Sequence, residues 1–239
     1  MADFGATSWI GLGVASSFLL DWAAVAFDWQ RLKPFTKSLA MLLVILWTAA
    51  SAMEELSVQL GLLIAAQTCG LLGDIMLLFP EQAFTAGLGA FLVGHIFYLG
   101  LLVGFYLNLF GSGGIQAISL EWLFLGTGVW AAFLILFYRI LRPLPEQGEV
   151  TVQLWVGIQA YAWLLSAMVA LALVIAIQSD TGNLSWFALP LGALLFLVSD
   201  AMLTYNRFLK PFHRAQLWVR ITYHLAQFAL AWGFVDMIG

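Results

Sequence analysis

Residues Cys69 to Pro80 read "CGLLGDIMLLFP", the end of a strongly apolar helix with one carboxylate, Asp74, set inside it. The arrangement recurs at Leu195 to Tyr205, "LFLVSDAMLTY", where Asp200 again follows a small residue and precedes a methionine and a leucine. An acid within such a run has a clear meaning only in a lipid bilayer. A charged side chain at the centre of a membrane span costs about 2.5–3.5 kcal/mol on insertion scales, so it turns to the bundle interior or a wet cavity and marks a functional site. A structural hydrogen bond between helices is the plainer alternative for either acid taken alone.

The rest of the chain agrees with a membrane setting. Of its 239 residues 63% are hydrophobic and 9% charged, with a mean hydropathy of +0.96, values outside the range of soluble globular domains. Apolar stretches of membrane-spanning length follow one another with short breaks. Eight spans are expected, near 7–27, 37–53, 57–79, 83–109, 120–138, 152–177, 185–205 and 215–237. They are separated by "DWQRLKPFTK", "MEELS", "PEQ", "GSGGIQAIS", "YRILRPLPEQGEV", "SDTGNLS" and "NRFLKPFHRA", rich in the proline, glycine and charge that bound helices. The expected fold is therefore all-α: a single multi-pass domain over residues 1–239, built as a bundle of eight transmembrane helices. The first apolar run lacks a basic n-region and a small-residue cleavage site, and is read as a retained span.

The basic residues fix an orientation. Arg31, Lys33 and Lys37 fall between spans 1 and 2, Arg139 and Arg142 between 5 and 6, and Arg207, Lys210 and Arg214 between 7 and 8. All three loops lie on one face, and Arg220 enters the last span from it. The positive-inside rule places that face in the cytoplasm and both termini outside it. The localisation expected is an integral protein of the cell membrane, the inner membrane in a bacterium. The net charge of −4 leaves no footprint for nucleic acid, and no protein partner can be inferred. Cys69 is the lone cysteine, which excludes an internal disulfide and a thiolate metal site.

With that topology spans 3 and 7 run in the same direction, and their acids lie at similar depth. Helical spacing groups further polar residues: Gln67, Gly70 and Asp74; His95 and Tyr98; Gln159 and Ser166, with Tyr161 nearby; and Arg220, Tyr223, His224 and Gln227. Together they describe a polar cavity within an apolar ring of helices. Arg220 has two readings, cavity lining or snorkelling to the headgroups; His213 and His224 receive no role. "GDIML" against "SDAML", and "RLKPF" against "ILRPLP", echo each other four spans apart, as a parallel duplication of a four-helix unit would. Within the helices, histidines and carboxylates do not stand at the i, i+3 or i, i+4 spacing of a metal site, so no metal is expected. No G-x-S-x-G motif occurs.

Five segments in order, "KPFTKSLAMLL", "GLLGDIMLLFP", "AGLGAFLVGHIFYL", "GALLFLVSDAMLTYNRF" and "ITYHLAQFAL", resemble the lysoplasmalogenase family of YhhN-like membrane proteins over nearly the whole chain. The resemblance implies an eight-helix bundle that hydrolyses the vinyl ether bond of lysoplasmalogens to a fatty aldehyde and glycerophospho-ethanolamine or glycerophospho-choline. It also implies that Asp74 and Asp200 are the two essential acids. The chemistry suits a buried pair, because protonation of the alkenyl carbon needs a neutral carboxyl group while the oxocarbenium ion and the attacking water need an ionised one. Which acid takes which role is left open by the sequence. Lys33 and Asn206, with Arg207, stand at a depth suited to the substrate phosphate, and His95, Tyr98, Tyr223 and Gln227 are candidates to orient acids or water. A lysophospholipid substrate, membrane lipids as surroundings and no cofactor complete the expectation. The rival function is a proton-coupled transporter using the same two acids. Against it, neither Asp-bearing span has a mid-span proline interruption.

Overall fold

The computed structural model describes residues 5–53, 57–110, 120–142, 150–179 and 184–239, and among these every regular element is a helix. In chain order they are α1 (Ala6–Ala26), α2 (Lys33–Ser51), α3 (Val58–Met76), α4 (Pro80–Phe110), α5 (Leu120–Leu141), α6 (Val152–Gln178), α7 (Leu184–Phe208) and α8 (Ala215–Ile238). The expected breaks at 54–56, 111–119, 143–149 and 180–183 lie outside the described residues.

Local chemistry sets the ends. Pro34 occupies the first turn of α2, where its missing N–H costs nothing. Ser57 caps α3 by accepting the Leu60 N–H at 3.2 Å, and Thr151 caps α6 by accepting that of Leu154 at 3.3 Å. Between α1 and α2 the chain turns through Asp28 at φ 58°, and it enters α8 through Arg214 at φ 53°. The helix α7 runs on through Pro190 without a break.

Six of the helices, α1 to α4, α6 and α7, are long and apolar enough to cross a membrane, and α5 contains the shorter apolar stretch Phe124–Ile140. Large apolar side chains face outward on the bundle, among them Phe35, Phe124 and Trp163, as a lipid solvent permits. The more polar α8 has a reason for its composition. It packs against α1, α2, α3 and α7, so Tyr223, His224 and Gln227 all point into the protein and are buried.

Neighbours in sequence are neighbours in space: α1 on α2, α2 on α3, α3 on α4, α5 on α6, α6 on α7 and α7 on α8, with α4·α6 and α2·α8 closing the ring. Two hairpins are drawn tight by glycine. A Cβ on Gly94 of α4 would lie 2.9 Å from the Ala66 carbonyl oxygen of α3, and one on Gly192 of α7 would lie 2.9 Å from the Leu230 nitrogen of α8. The main apolar core, around Leu63, Leu102, Leu165, Phe196 and Phe234, lies within this ring.

Candidate active site

A cavity of about 250 Å³ opens at the end of the bundle where the loops after α1 and α7 lie. Its apolar wall includes Leu77, Phe84, Phe91 and Leu203, and its polar wall is made by Lys37, Asp200, Asn206, Arg207, Arg220 and Tyr223. Four helices supply these residues, α2, α4, α7 and α8, together with Leu77 just past the end of α3.

Asp200 reaches the cavity from α7 and accepts a hydrogen bond from the Tyr161 hydroxyl of α6. It has no ion-pair partner among the described residues. Asp74 does not line the cavity; it lies one side chain behind the wall and is fully buried. Its carboxylate meets the Lys37 ammonium at 2.7 Å and accepts from the Tyr223 hydroxyl at 2.9 Å. Both partners do face the cavity. Space for this contact comes from Gly70, where a Cβ would stand 3.2 Å from the Tyr223 oxygen and 2.9 Å from Gln227 Nε2. Gly73 plays a similar part for Phe91, whose ring lies 2.8 Å from where a Cβ would be.

The remaining expected residues form the support. Gln227 accepts from the Tyr98 hydroxyl at 2.7 Å, and Tyr98 is buried away from the cavity. His95 is also buried. Its Nδ1 lies 2.6 Å from the Phe91 carbonyl oxygen and so carries the proton; the Tyr161 hydroxyl is 3.4 Å from the same nitrogen. The ring stands edge-on to Phe196, with centroids 4.3 Å apart. Lys33 is placed elsewhere than expected. Its ammonium pairs with Asp28, and it lines a neighbouring pocket with Asn206 and Arg214 rather than the Asp200 cavity.

Arg220 does not snorkel. Its guanidinium meets buried Asp21 of α1 at 2.5 Å and the Lys33 carbonyl oxygen at 3.3 Å, while one side of it faces the cavity. Asp21 also accepts from Thr36 at 2.6 Å. Beside them the Trp22 indole N–H donates to His224 Nδ1 at 3.1 Å. Three helices are joined at this point by these hydrogen bonds and the Asp21–Arg220 ion pair, while Asp21 Oδ2 and His224 Nε2 are buried without a hydrogen-bond partner among the described residues.

Two side chains that contact the acids escaped the spacing argument. Lys37 was grouped with the interfacial charges because span 2 was expected to begin at 37, whereas α2 begins a full turn earlier, at Lys33. Lys37 therefore lies on the buried face with Met41, Val44 and Thr48, at i, i+4, i+7 and i+11; that periodicity was the available signal. Tyr161 had none. Gln159, expected in the central cavity, lines a groove between α5 and α6 instead, and Ser166 bonds to its own helix at Ala162. Among the described residues no three His, Cys, Asp or Glu side chains come together to hold a metal.

No solved structure matches the chain. Its sequence is 32% identical to lysoplasmalogenase TMEM86B of Mus musculus over 189 residues, covering 79% of this chain and 68% of the mouse protein. The similarity to lysoplasmalogenase TMEM86B of Sus scrofa is 31% over 166 residues, 68% of this chain and 58% of the pig protein. The human protein of that name is 30% identical over 70% of this chain and 60% of its own length. The sequence model of the YhhN family extends further, over residues 32–234, from the start of α2 almost to the end of α8. On that match the chain belongs to the YhhN family.

Proposed function

We propose that the protein hydrolyses the vinyl ether bond of a lysoplasmalogen, releasing a fatty aldehyde and a glycerophospho-ethanolamine or glycerophospho-choline. One observation carries the reading beyond the relatives' name: a cavity with an apolar wall and a cationic mouth has, among the described residues, a single carboxyl group, Asp200, on its surface. An amphipathic lysolipid fits such a site, with phosphate toward Arg207, Arg220 and Asn206 and the alkenyl chain along Leu77, Phe91 and Leu203.

Counting charges assigns the roles. Lys37 neutralises Asp74 and Arg220 neutralises Asp21, which leaves Asp200 with a hydroxyl donor and no cation of its own. Asp200 enters the reaction neutral and gives its proton to the outer alkenyl carbon, whose π electrons form the new C–H bond. The oxocarbenium ion so formed is stabilised by the Asp200 carboxylate, which then takes a proton from the attacking water. The hemiacetal breaks its C–O bond to glycerol, and its hydroxyl proton passes to the departing oxygen. Atoms balance with one water consumed and Asp200 protonated again. Asp74 acts from behind the wall, holding Lys37 and Tyr223 and cancelling the ammonium charge that would otherwise oppose the cation.

All eight helices cross the bilayer in this reading, with the cavity mouth at the cytoplasmic face and both termini outside. The partial apolarity of α8 is no obstacle, because Arg220, Tyr223 and Gln227 each find a partner within the bundle. A parallel duplication is supported by the packing: α1·α2, α2·α3 and α3·α4 match α5·α6, α6·α7 and α7·α8, and α2·α8 matches α4·α6.

The test is aldehyde release from lysoplasmenyl-ethanolamine by the purified full-length chain in detergent. Enzymatic release, lost in Asp200→Asn, supports the reading. No release in detergent, together with proton-coupled uptake in sealed vesicles, would replace it with a carrier.

A further inference from the structure

The helix α1 contributes no residue to the wall of the Asp200 cavity, yet it holds one residue of that wall in place. Asp21 of α1 is fully buried and pairs with Arg220 of α8, whose side chain is 13% exposed. Both contacts of the guanidinium are made by one nitrogen. Its Nη1 donates to Asp21 Oδ1 at 2.5 Å and to the Lys33 carbonyl oxygen at 3.3 Å, and Arg220 has no other hydrogen bond or ion pair among the described residues. A guanidinium carries five N–H groups in a fixed plane. With Nη1 occupied, the parallel N–H groups of Nε and Nη2 remain, and such an edge matches two oxygens of a phosphate.

Asp21 is itself fixed. Thr36 of α2 donates to the same Oδ1 at 2.6 Å. The other basic side chain beside it is His224, whose Nδ1 stands 3.9 Å from Oδ2. That nitrogen accepts the Trp22 indole N–H at 3.1 Å, so the ring carries its proton on Nε2 and is neutral. Arg220 is therefore the one cation that Asp21 meets among the described residues. Arg207, the second arginine of the wall, differs on each count: it is exposed, lies over the Phe84 ring at 5.2 Å, and has no ion-pair partner among the described residues. An exposed arginine approaches a phosphate from many directions, whereas one clamped at Nη1 offers it a single geometry.

We infer that Asp21 is a positioning residue for the substrate phosphate: it holds Arg220 so that the Nε and Nη2 edge meets the phosphate in the cavity. Arg207, whose charge no acid cancels, draws the phosphate in, and Arg220 fixes where it stops. This role rests on the phosphate site proposed above for a lysolipid. Without Asp21 the long arginine side chain turns toward the membrane surface, and the phosphate loses its fixed partner.

The experiment measures binding, which does not depend on turnover. Two saturated ethers are titrated into the purified full-length chain in detergent: a 1-alkyl lysophosphoethanolamine, and the 1-alkylglycerol that lacks the phosphate. The unaltered protein should hold the first about a hundredfold more tightly, about tenfold for each arginine. Asp21→Asn should lower that ratio about tenfold and leave binding of the alkylglycerol unchanged, whereas a purely structural part for Asp21 would weaken both ethers alike. Arg220→Lys keeps the charges of the pair and removes the fork; it should lower the ratio equally, and it decides alone should Asp21→Asn fail to purify. A ratio near one in the unaltered protein, a ratio that survives these variants, or equal weakening of both ethers would overturn the role. Aldehyde release from lysoplasmenyl-ethanolamine, followed in parallel, separates this role from the reaction. Its absence, with the ratio moving as stated, removes the reaction and keeps Asp21 in place; release with an unmoved ratio removes the role of Asp21 alone.

Discussion

Asp74 and Asp200 occupy matching places, each on the third helix of a run of four and each with a partner on the second, yet the partners differ in kind. For Asp74 the partner on α2 is an ammonium, Lys37; for Asp200 the partner on α6 is a phenol, Tyr161. One acid is fully buried behind the cavity and the other faces it. The difference shows how two similar sequence frames can be given unlike chemistry by a single side chain on the neighbouring helix. A charge-balanced acid becomes part of the frame, and an acid without a cation becomes available for proton transfer.

The sharpest way to break this contrast is to remove each carboxylate in turn. Asp200→Asn should reduce aldehyde release about 10²–10⁴-fold while leaving the unfolding temperature close to that of the unaltered protein. Asp74→Asn should lower both, because it leaves Lys37 buried without a counter-charge, a change worth about 3–5 kcal/mol. Thermal unfolding and turnover measured on both variants test the contrast. Equal destabilisation by the two would erase it.

A second comparison restores charge balance without restoring chemistry. Adding Lys37→Met to Asp74→Asn should recover most of the lost stability, since replacing both members of a buried pair is often close to neutral. Activity should stay low, because the Tyr223 hydroxyl in the cavity wall then lacks the carboxylate that holds it. Full recovery of turnover would show Asp74 and Lys37 to be structural alone.

The tyrosines give a finer test. Tyr161→Phe and Tyr223→Phe each delete one hydrogen bond to a carboxylate, and each should cost about 1 kcal/mol of stability. Turnover should suffer more from Tyr161→Phe, because its acceptor is the acid that faces the cavity. The reverse order would exchange the roles assigned to the two acids.

The smallest expected effect lies outside the membrane-spanning segments, at the Asp28 that meets Lys33. Hydrogen bonds from Lys33 and Gln30, then the Lys33 charge, hold its carboxyl below the ordinary carboxylate value. The contribution is present above the unfolded value of about 3.9 and disappears as pH falls through the lower folded value. Asp28→Asn should therefore lower Tm slightly at pH 7 and make no difference once both forms are protonated, as a pH series of unfolding curves would show.

Much of this was legible without coordinates because it depends on local quantities. Helix positions followed from apolar runs and their proline, glycine and charge breaks, and the observed ends differ from expectation by a turn or less. The inward direction of Asp74, Tyr223 and Gln227 followed from 3.6-residue spacing. Where a boundary slipped, the reading slipped with it: starting α2 one turn late left Lys37 at the membrane surface. Spacing also misplaced Gln159, because periodicity gives the angle between side chains on one helix and says nothing about which neighbour each side of that helix meets.

By itself the sequence determined the solvent of this protein, its helical class and the burial of two acids, since each follows from the cost of exposing charge or backbone polarity to lipid. Only the tertiary structure decided that Lys37 belongs to Asp74, Arg220 to Asp21, and Tyr161 to Asp200. Each pairing joins two different helices, from neighbours in the chain to Asp21 and Arg220 at a separation of 199 positions, and no spacing rule within one helix could announce them. They arise where particular helices cross, and at such crossings the surroundings of each acid, and so its chemistry, are set.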